Sequence, residues 1–137
     1  MKAFMAEAKK IVRKVAKDLG YTIYDFATDD DFNPHLRFGH CTESRYANKT
    51  DRMKELTLTL NIWSDQKGSR ELMEIISNIE NGLNNYIHED DSNYILVELK
   101  TGMIEVIEEY EKASGTNKKI SFHHGIMPIQ IKLMEVK

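Results

Sequence analysis

The chain has 137 residues, of which 41% are hydrophobic and 30% charged; this fits one folded domain, 1–137, and argues against disorder. The net charge of −3 argues against nucleic-acid specificity, and no apolar run approaches the roughly 20 residues that span a membrane. Cys41 stands alone, which excludes an internal disulfide and fits a reducing compartment.

The first predicted element is an amphipathic helix. Its apolar residues recur at steps of three and four, and its basic residues lie mostly off that stripe, which predicts a solvated basic face. Gly20 follows as the expected C-cap. The apolar stripe consists of Phe4, Ala8, Ile11, Val12, Val15 and Leu19.

Two short strands are predicted next, over residues 21–26 and 35–40, with the second ending near Gly39. The intervening stretch contains Asp29–Asp31, but it lacks the alternating acids, glycine and glutamate of a calcium loop. It is therefore predicted to be a solvated acidic loop. Residues 41–53 read as a long polar connection of mixed charge.

The clearest pattern is an alternating strand followed by a helix. Leu56, Leu58, Leu60 and Ile62 alternate with polar residues, which predicts a half-buried antiparallel strand with one open side. A helical stripe from Leu72 to Leu83 should cover the leucines. The turn "SDQKGS" has a single glycine and lacks both phosphate-binding glycine patterns, so no nucleotide site is predicted.

The C-terminal third contains a strand "NYILVELK", an ambiguous segment and a final strand. Local propensity in residues 103–114 slightly favours a helix, although Ile104 and Val106 also alternate with Glu105 as in a strand. In the last strand, Ile129, Ile131 and Leu133 alternate with polar residues. Pro128 indicates an edge position or a bulge there.

Candidate catalytic and metal groups do not form a recognisable motif. Adjacent residues on a strand point to opposite faces, and no Cys-x-x-Cys or His-x-x-x-His pair is present. The acidic run from Glu105 to Glu111 reads as a solvated face. We therefore predict no catalytic residues, metal or cofactor. The residues considered for metal were His35, His40, Cys41, His88, His123 and His124.

Three segments resemble the tail completion proteins of long-tailed bacteriophages, also called tail terminators or head-to-tail joining proteins. They are "NPHLRFGH", "LTLTLNIWSDQKGS" running into "ELMEIISNIENGL", and "FHHGIMPIQIKL". Their order and spacing match the family, and with the first helix they cover most of the chain. The alternating strand that ends in Trp-Ser before the helix is the most specific of the three.

The resemblance implies an α+β fold: a small antiparallel β-sheet with two helices packed on one face, in the order α-β-β-β-α-β-β. It also implies a long strand bent near Gly102 in place of a helix at 103–114. Its implied function is non-enzymatic: a ring, typically a hexamer, caps the head-proximal end of the tail tube, stops tube polymerisation and docks the head connector. The implied location is the head–tail junction of a virion made in a bacterial cytoplasm.

The expected partners are further copies of the chain, the tail tube protein and the head connector protein. The predicted assembly contacts are Arg45, Lys49 and Arg52 in the polar connection, and Trp63 at the strand end. Two alternatives stay open. The chain could be another head–tail connector or adaptor component, or a small metal-dependent enzyme that uses the histidines.

Overall fold

A computed structural model describes residues 4–25, 34–45, 53–64, 70–88, 93–112 and 119–136. Two helices are present in these ranges, and neither is long and apolar enough to cross a membrane. The elements are α1 (Phe4–Asp18), β1 (Ile23–Tyr24), β2 (His35–Arg45), β3 (Met53–Ser64), α2 (Arg70–Asn84), β4 (Tyr94–Thr101), β5 (Glu105–Lys112) and β6 (Lys119–Glu135).

The six strands form one sheet in the order β1-β2-β3-β6-β4, with β5 also paired to β6. β1 and β2 pair in parallel, and the remaining pairs are antiparallel. The C-terminal half of β6 pairs with β4 and its N-terminal half with β5, so β4 and β5 follow one another along the same side of β6. The predicted α+β fold is confirmed, with a mixed rather than wholly antiparallel sheet.

Both helices pack on one face of the sheet, as predicted. The four alternating apolar residues of β3, Leu56 to Ile62, are completely buried beneath them, and Thr57, Thr59 and Asn61 lie on the opposite face and are half-buried. Each buried leucine removes enough apolar surface from water to contribute about 1.5–3 kcal/mol. The alternation therefore determines which side of β3 the helices cover.

Two glycines determine where α1 ends and how closely it approaches α2. Gly20 has φ of +91°, and the amides of Gly20 and Tyr21 donate to the carbonyls of Lys17 and Ala16, a Schellman cap that confirms the predicted helix end. A Cβ at Gly82 would lie 2.7 Å from a methyl of Val15, so this glycine permits α1 and α2 to cross closely.

Two strand predictions were wrong in extent. β1 is only two residues long, within the predicted 21–26. β2 does not end near Gly39 but continues to Arg45, because Gly39 and His40 form a bulge between Phe38 and Cys41. A bulge inserts an unpaired residue and bends a strand without ending it. Half of the predicted polar connection, 41–45 and 53, is therefore strand.

The segment after α2 is the long bent strand implied by the family resemblance, and the described part of 103–114 is strand over Glu105–Lys112 and not helix. The bend falls at 102–104, between β4 and β5, where the Gly102 amide donates to the Pro128 carbonyl over 2.8 Å. Pro128 lies on β6 inside the sheet, so the predicted edge position was wrong. The backbone N and O of one strand residue point to the same neighbouring strand. Because the Pro128 carbonyl points to Gly102, its nitrogen, which carries no hydrogen, also faces the break between β4 and β5.

Candidate assembly surface

The sheet face opposite the helices is the candidate assembly surface. Its centre is polar and weakly charged: Thr57, Thr59 and Asn61 on β3 lie beside Gln130 and Pro128 on β6. All five side chains are partly exposed. A half-buried polar face of this kind can be covered by a partner without leaving unpaired buried charge.

One end of this face carries a row of rings that crosses four strands. Tyr24 stacks on His35 with centroids 5.3 Å apart, His35 lies 5.8 Å from Trp63, and Trp63 stacks on His124 at 4.5 Å. The Arg37 guanidinium lies 4.9 Å from the centre of the Trp63 ring, within cation–π range. Trp63 is therefore held by three neighbours, two on β2 and one on β6.

Strand register brings these rings together. His35 and His124 are the cross-strand partners of Trp63 on either side, and directly opposed residues have Cβ atoms about 4.5–5.5 Å apart. Burial, together with the positive charge of Arg37, lowers the pKa of His35. His35 is therefore neutral at pH 7, and the row forms without burying an imidazolium beside a guanidinium.

A glycine and an asparagine fix the inner end of the row. His124 Nε2 lies 2.8 Å from Asn61 Oδ1, a distance that fits a hydrogen bond between them. Asn61 can occupy this place only because residue 39 has no side chain, since a Cβ there would lie 2.2 Å from Asn61 Nδ2. The bulge at Gly39 thus leaves space for the group that orients His124.

The Trp-Ser pair at the end of β3 divides its two side chains between the two faces. Trp63 joins the ring row, whereas Ser64 is buried and its hydroxyl donates to Glu71 Oε1 over 2.6 Å. Glu71 lies in the first turn of α2, where a carboxylate is stabilised by the helix dipole. The pair therefore couples the strand end to the helix start, and the turn between them, 65–69, lies outside the described residues.

The four predicted contact residues are not one cluster among the described residues. Trp63 lies on the helix-free face, and Arg45 ends β2, where its backbone is paired with Lys54. Lys49 and Arg52 lie outside the described residues. Their role as contacts stays a prediction. Sequence reasoning overlooked Tyr24, Arg37 and Asn61, which contact His35, Trp63 and His124 respectively through strand register.

The six candidate metal ligands are dispersed. His35 and His124 flank Trp63, and His123 lies on the opposite face from His124, as adjacent strand residues must. His88 contacts Tyr86 and lies 3.8 Å from a Glu7 oxygen. Over the described ranges, no three His, Cys, Asp or Glu side chains are grouped to hold a metal ion. His40 is exposed and Cys41 is half-buried on β2.

A groove of about 300 Å³ lies between the C-terminal ends of the two helices. It is lined by the end of α1 with the residue that follows, and by Gly82 of α2 with the residues that follow that helix: Lys14, Val15, Asp18, Leu19, Asn85, Tyr86 and Ile87. None of the six candidate metal ligands lines it.

Comparison with known proteins identifies the fold. No family model and no curated protein sequence matches the chain. A chain from the virion of a native gene transfer agent (GTA) particle superposes with a TM-score of 0.60 at 12% identity, over 88% of this chain and 84% of that chain. The bacteriophage SPP1 gp17 protein aligns over 91% and 90% at 16% identity, but its TM-score of 0.47 is too low to establish a common fold. The first similarity shows a shared fold.

Proposed function

We propose that this protein is a structural virion assembly protein. It caps the head-proximal end of a phage tail tube as a ring, ends tail polymerisation and provides the docking surface for the head connector. The observation that carries the proposal is the fold shared with a gene transfer agent virion chain over most of both lengths. The Trp-Ser strand end and its coupling to α2 support it, because this element carries the family resemblance.

The helix-free face suits such a role. Its central side chains are short and polar, and the ring row at one end is already ordered by stacking and hydrogen bonding. An ordered row loses little side-chain entropy when a partner covers it, which lowers the cost of association. A surface with these properties fits contacts that form once during assembly, with the tube protein on one side of the ring and the connector on the other.

We propose a non-enzymatic role, located at the head–tail junction of particles made in the bacterial cytoplasm. The proposed partners are further copies of the chain, in a ring that we expect to be a hexamer, the tail tube protein and the head connector. Arg45, Lys49, Arg52 and Trp63 remain the proposed contacts. No cofactor is required for any of these associations.

Deletion of the gene tests the proposal. Electron microscopy of an induced lysate should show tails longer than wild type and heads that are not joined to tails, and a plasmid copy should restore both. Tails of normal length that are joined to heads would contradict the proposal. A variant with Arg45, Lys49 and Arg52 all changed to Glu should reproduce the defect partially, because exposed loop charges add little to stability and act mainly in association.

The same lysates separate the alternatives. Tails of normal length with unjoined heads would indicate a connector or adaptor that does not terminate the tube. The metal-dependent enzyme is tested on purified protein by elemental analysis, since near-stoichiometric zinc, iron or manganese would support it. A quadruple replacement of His40, Cys41, His123 and His124 by Asn or Ser should abolish no enzymatic step.

A further inference from the structure

Three arginine side chains are described by the structure, and Arg37 is the one among them that has no carboxylate partner. Arg13 and Arg70 each form an ion pair with an acidic side chain. Within the described ranges, the Arg37 guanidinium makes no hydrogen bond or ion pair, and it lies 4.9 Å from the centre of the Trp63 ring. Its side chain is half-buried on the helix-free face. The guanidinium is therefore held in place while its N–H donors are not used within the described part of the chain.

Stacking of this kind presents the donors to a partner. A guanidinium that lies over an aromatic ring keeps the N–H groups in its own plane, and their fork matches the two oxygens of a carboxylate or a phosphate. Trp63 and Tyr24, in the same row, belong with arginine to the residue types that carry most binding energy at protein interfaces. The ring row therefore combines an anion-binding group with aromatic contact surface.

Two features favour a carboxylate over the phosphate of a nucleic acid. Trp63 already contacts His124 on β6 and Arg37 on β2, and these strands flank β3 on its two sides. A base could therefore stack on the indole only by displacing one of them. The same face carries Glu55 and Glu105, and the net charge of the chain is −3, both of which oppose a polyanion.

A second copy of the chain is a poor source of the carboxylate. Most of its described acidic side chains already accept a hydrogen bond or lie in an ion pair, and a copy that offered one of these to Arg37 would have to break that contact. Glu55 and Glu105 have no such partner among the described residues, but they lie on the same face as Arg37. They would reach it only if two helix-free faces met, which the head-to-tail contacts of a ring do not bring about.

We propose that Arg37, held over Trp63, binds an aspartate or glutamate side chain of another virion chain that covers the helix-free face. Both carboxylate oxygens accept hydrogen bonds from the guanidinium, which gives the contact a fixed direction as well as charge complementarity. Because the guanidinium is already ordered by the indole, it loses little side-chain entropy when the partner binds. The inference rests on the proposed function for the identity of the partner as a virion protein, and on the contacts of Arg37 for its chemistry.

An NMR titration of the isotope-labelled full chain with short peptides tests the chemistry. The probe is acetyl-Leu-Asp-Leu-amide, and its matched control carries Asn in place of Asp. The Asp peptide should shift the Arg37 Nε–H and Trp63 indole N–H signals until they saturate. The Asn peptide should bind about tenfold more weakly, because it offers no charged oxygens to the guanidinium.

Variants of Arg37 separate its charge from its fork. Arg37→Lys keeps the charge and loses the fork, and Arg37→Gln loses both, so the Asp peptide should bind less tightly to each and least tightly to Arg37→Gln. Arg70→Gln removes an exposed arginine from α2 and should leave binding unchanged. Burial and the charge of Arg37 lower the pKa of His35, so the bound Asp peptide should raise that pKa in the wild type and not in Arg37→Gln.

The induced lysate tests the partner. Arg37→Gln in place of the wild type should lower the yield of joined particles, whereas Arg70→Gln should not. Normal yields from Arg37→Gln alongside a defective gene deletion would overturn this inference alone. Normal joined tails from the deletion itself would contradict the proposed function, even if the Asp peptide binds at Arg37.

Four results with purified protein would also overturn the inference. Equal affinities for the Asp and Asn peptides, or equal affinities of the wild type and Arg37→Gln for the Asp peptide, would show that no carboxylate binds there. Saturation by oligothymidylate at lower concentrations than by the Asp peptide would assign the site to a nucleic acid. Loss of self-association in Arg37→Gln, measured by sedimentation velocity, would assign the carboxylate to a second copy of the chain.

Discussion

The substitution Gly39→Ala should disturb the ring row from a position that contacts none of its rings. The new Cβ would lie 2.2 Å from Asn61 Nδ2, closer than two heavy atoms can remain. The obstructing atom ends a flexible side chain, so Asn61 should rotate away while the backbone stays in place. Gly39 has no positive φ, so alanine adds no backbone strain there.

The expected loss of stability is the sum of the hydrogen bond that Asn61 loses and the strain of its new side-chain conformation. Its 2.8 Å hydrogen bond to His124 is worth about 0.5–1.5 kcal/mol net, and an off-rotamer side chain costs a further ~0.5–1.5 kcal/mol. We therefore expect a loss of about 1–3 kcal/mol in the free energy of unfolding, measured by urea denaturation at pH 7. The fluorescence of Trp63, which stacks on His124 and is the single tryptophan, should change as well.

A double-mutant cycle isolates the cause. In an Asn61→Ala background the obstructing amide is absent, so adding Gly39→Ala should cost almost nothing. Gly20→Ala is the matched control: it introduces strain at φ +91° without any atom within 4 Å, so it should destabilise the fold without changing Trp63 fluorescence. An equal cost of Gly39→Ala in both backgrounds would refute the proposed steric coupling.

Four further substitutions test the two faces of β3 and the contacts of the helices. Leu58→Ala, at a completely buried position, should lower the free energy of unfolding by about 2–5 kcal/mol, and Thr57→Ala on the opposite face should cost far less; equal urea midpoints would overturn the assigned faces. Ser64→Ala removes a hydrogen bond to the Glu71 carboxylate and should lower the free energy of unfolding by about 1.5–3 kcal/mol. An equal loss from Ser64→Ala in a Glu71→Gln background would contradict this assignment. Burial raises the pKa of Asp25, but its hydrogen bonds and charge contacts with basic side chains outweigh this and lower the pKa overall. The stability from the contacts of Asp25 with Lys9 and Arg13 is therefore present above the unfolded-state pKa and lost as pH falls through the folded-state pKa. Asp25→Asn should lower the free energy of unfolding at pH 7 and not at pH values below that folded-state pKa. A constant difference in the free energy of unfolding across pH would contradict the assignment.

Local patterns were sufficient for the helices and the central strand. The stripes of α1 and α2 and the alternation from Leu56 to Ile62 depend on the side-chain periods of 3.6 and 2, which are properties of the backbone itself. Gly20 was also predictable as a cap, because a helix often ends in a residue with positive φ and that conformation favours glycine. Each of these features requires only neighbours in sequence.

Local patterns did not predict the length of β2 or decide between helix and strand in residues 103–114. Polar residues such as Thr42 and Ser44 extend β2 because β3 supplies a pairing partner. Glutamate-rich β5 is a strand because β6 continues past its pairing with β4 and offers β5 a partner. Pairing energy from a distant strand overrides the weak local preference for a helix. Family resemblance, and not propensity, indicated the bent strand.

By itself, the sequence determined the α+β class, the buried face of β3, the C-terminal end of α1 and the absence of a phosphate-binding motif, because all of these follow from periodicity and local backbone conformation. Only the tertiary structure decided which side chains meet on the open face. Tyr24, His35, Trp63 and His124 come from four strands up to 100 residues apart, and their meeting depends on strand order and register. A shift of one residue would turn each ring to the other face, so no local pattern can encode the row.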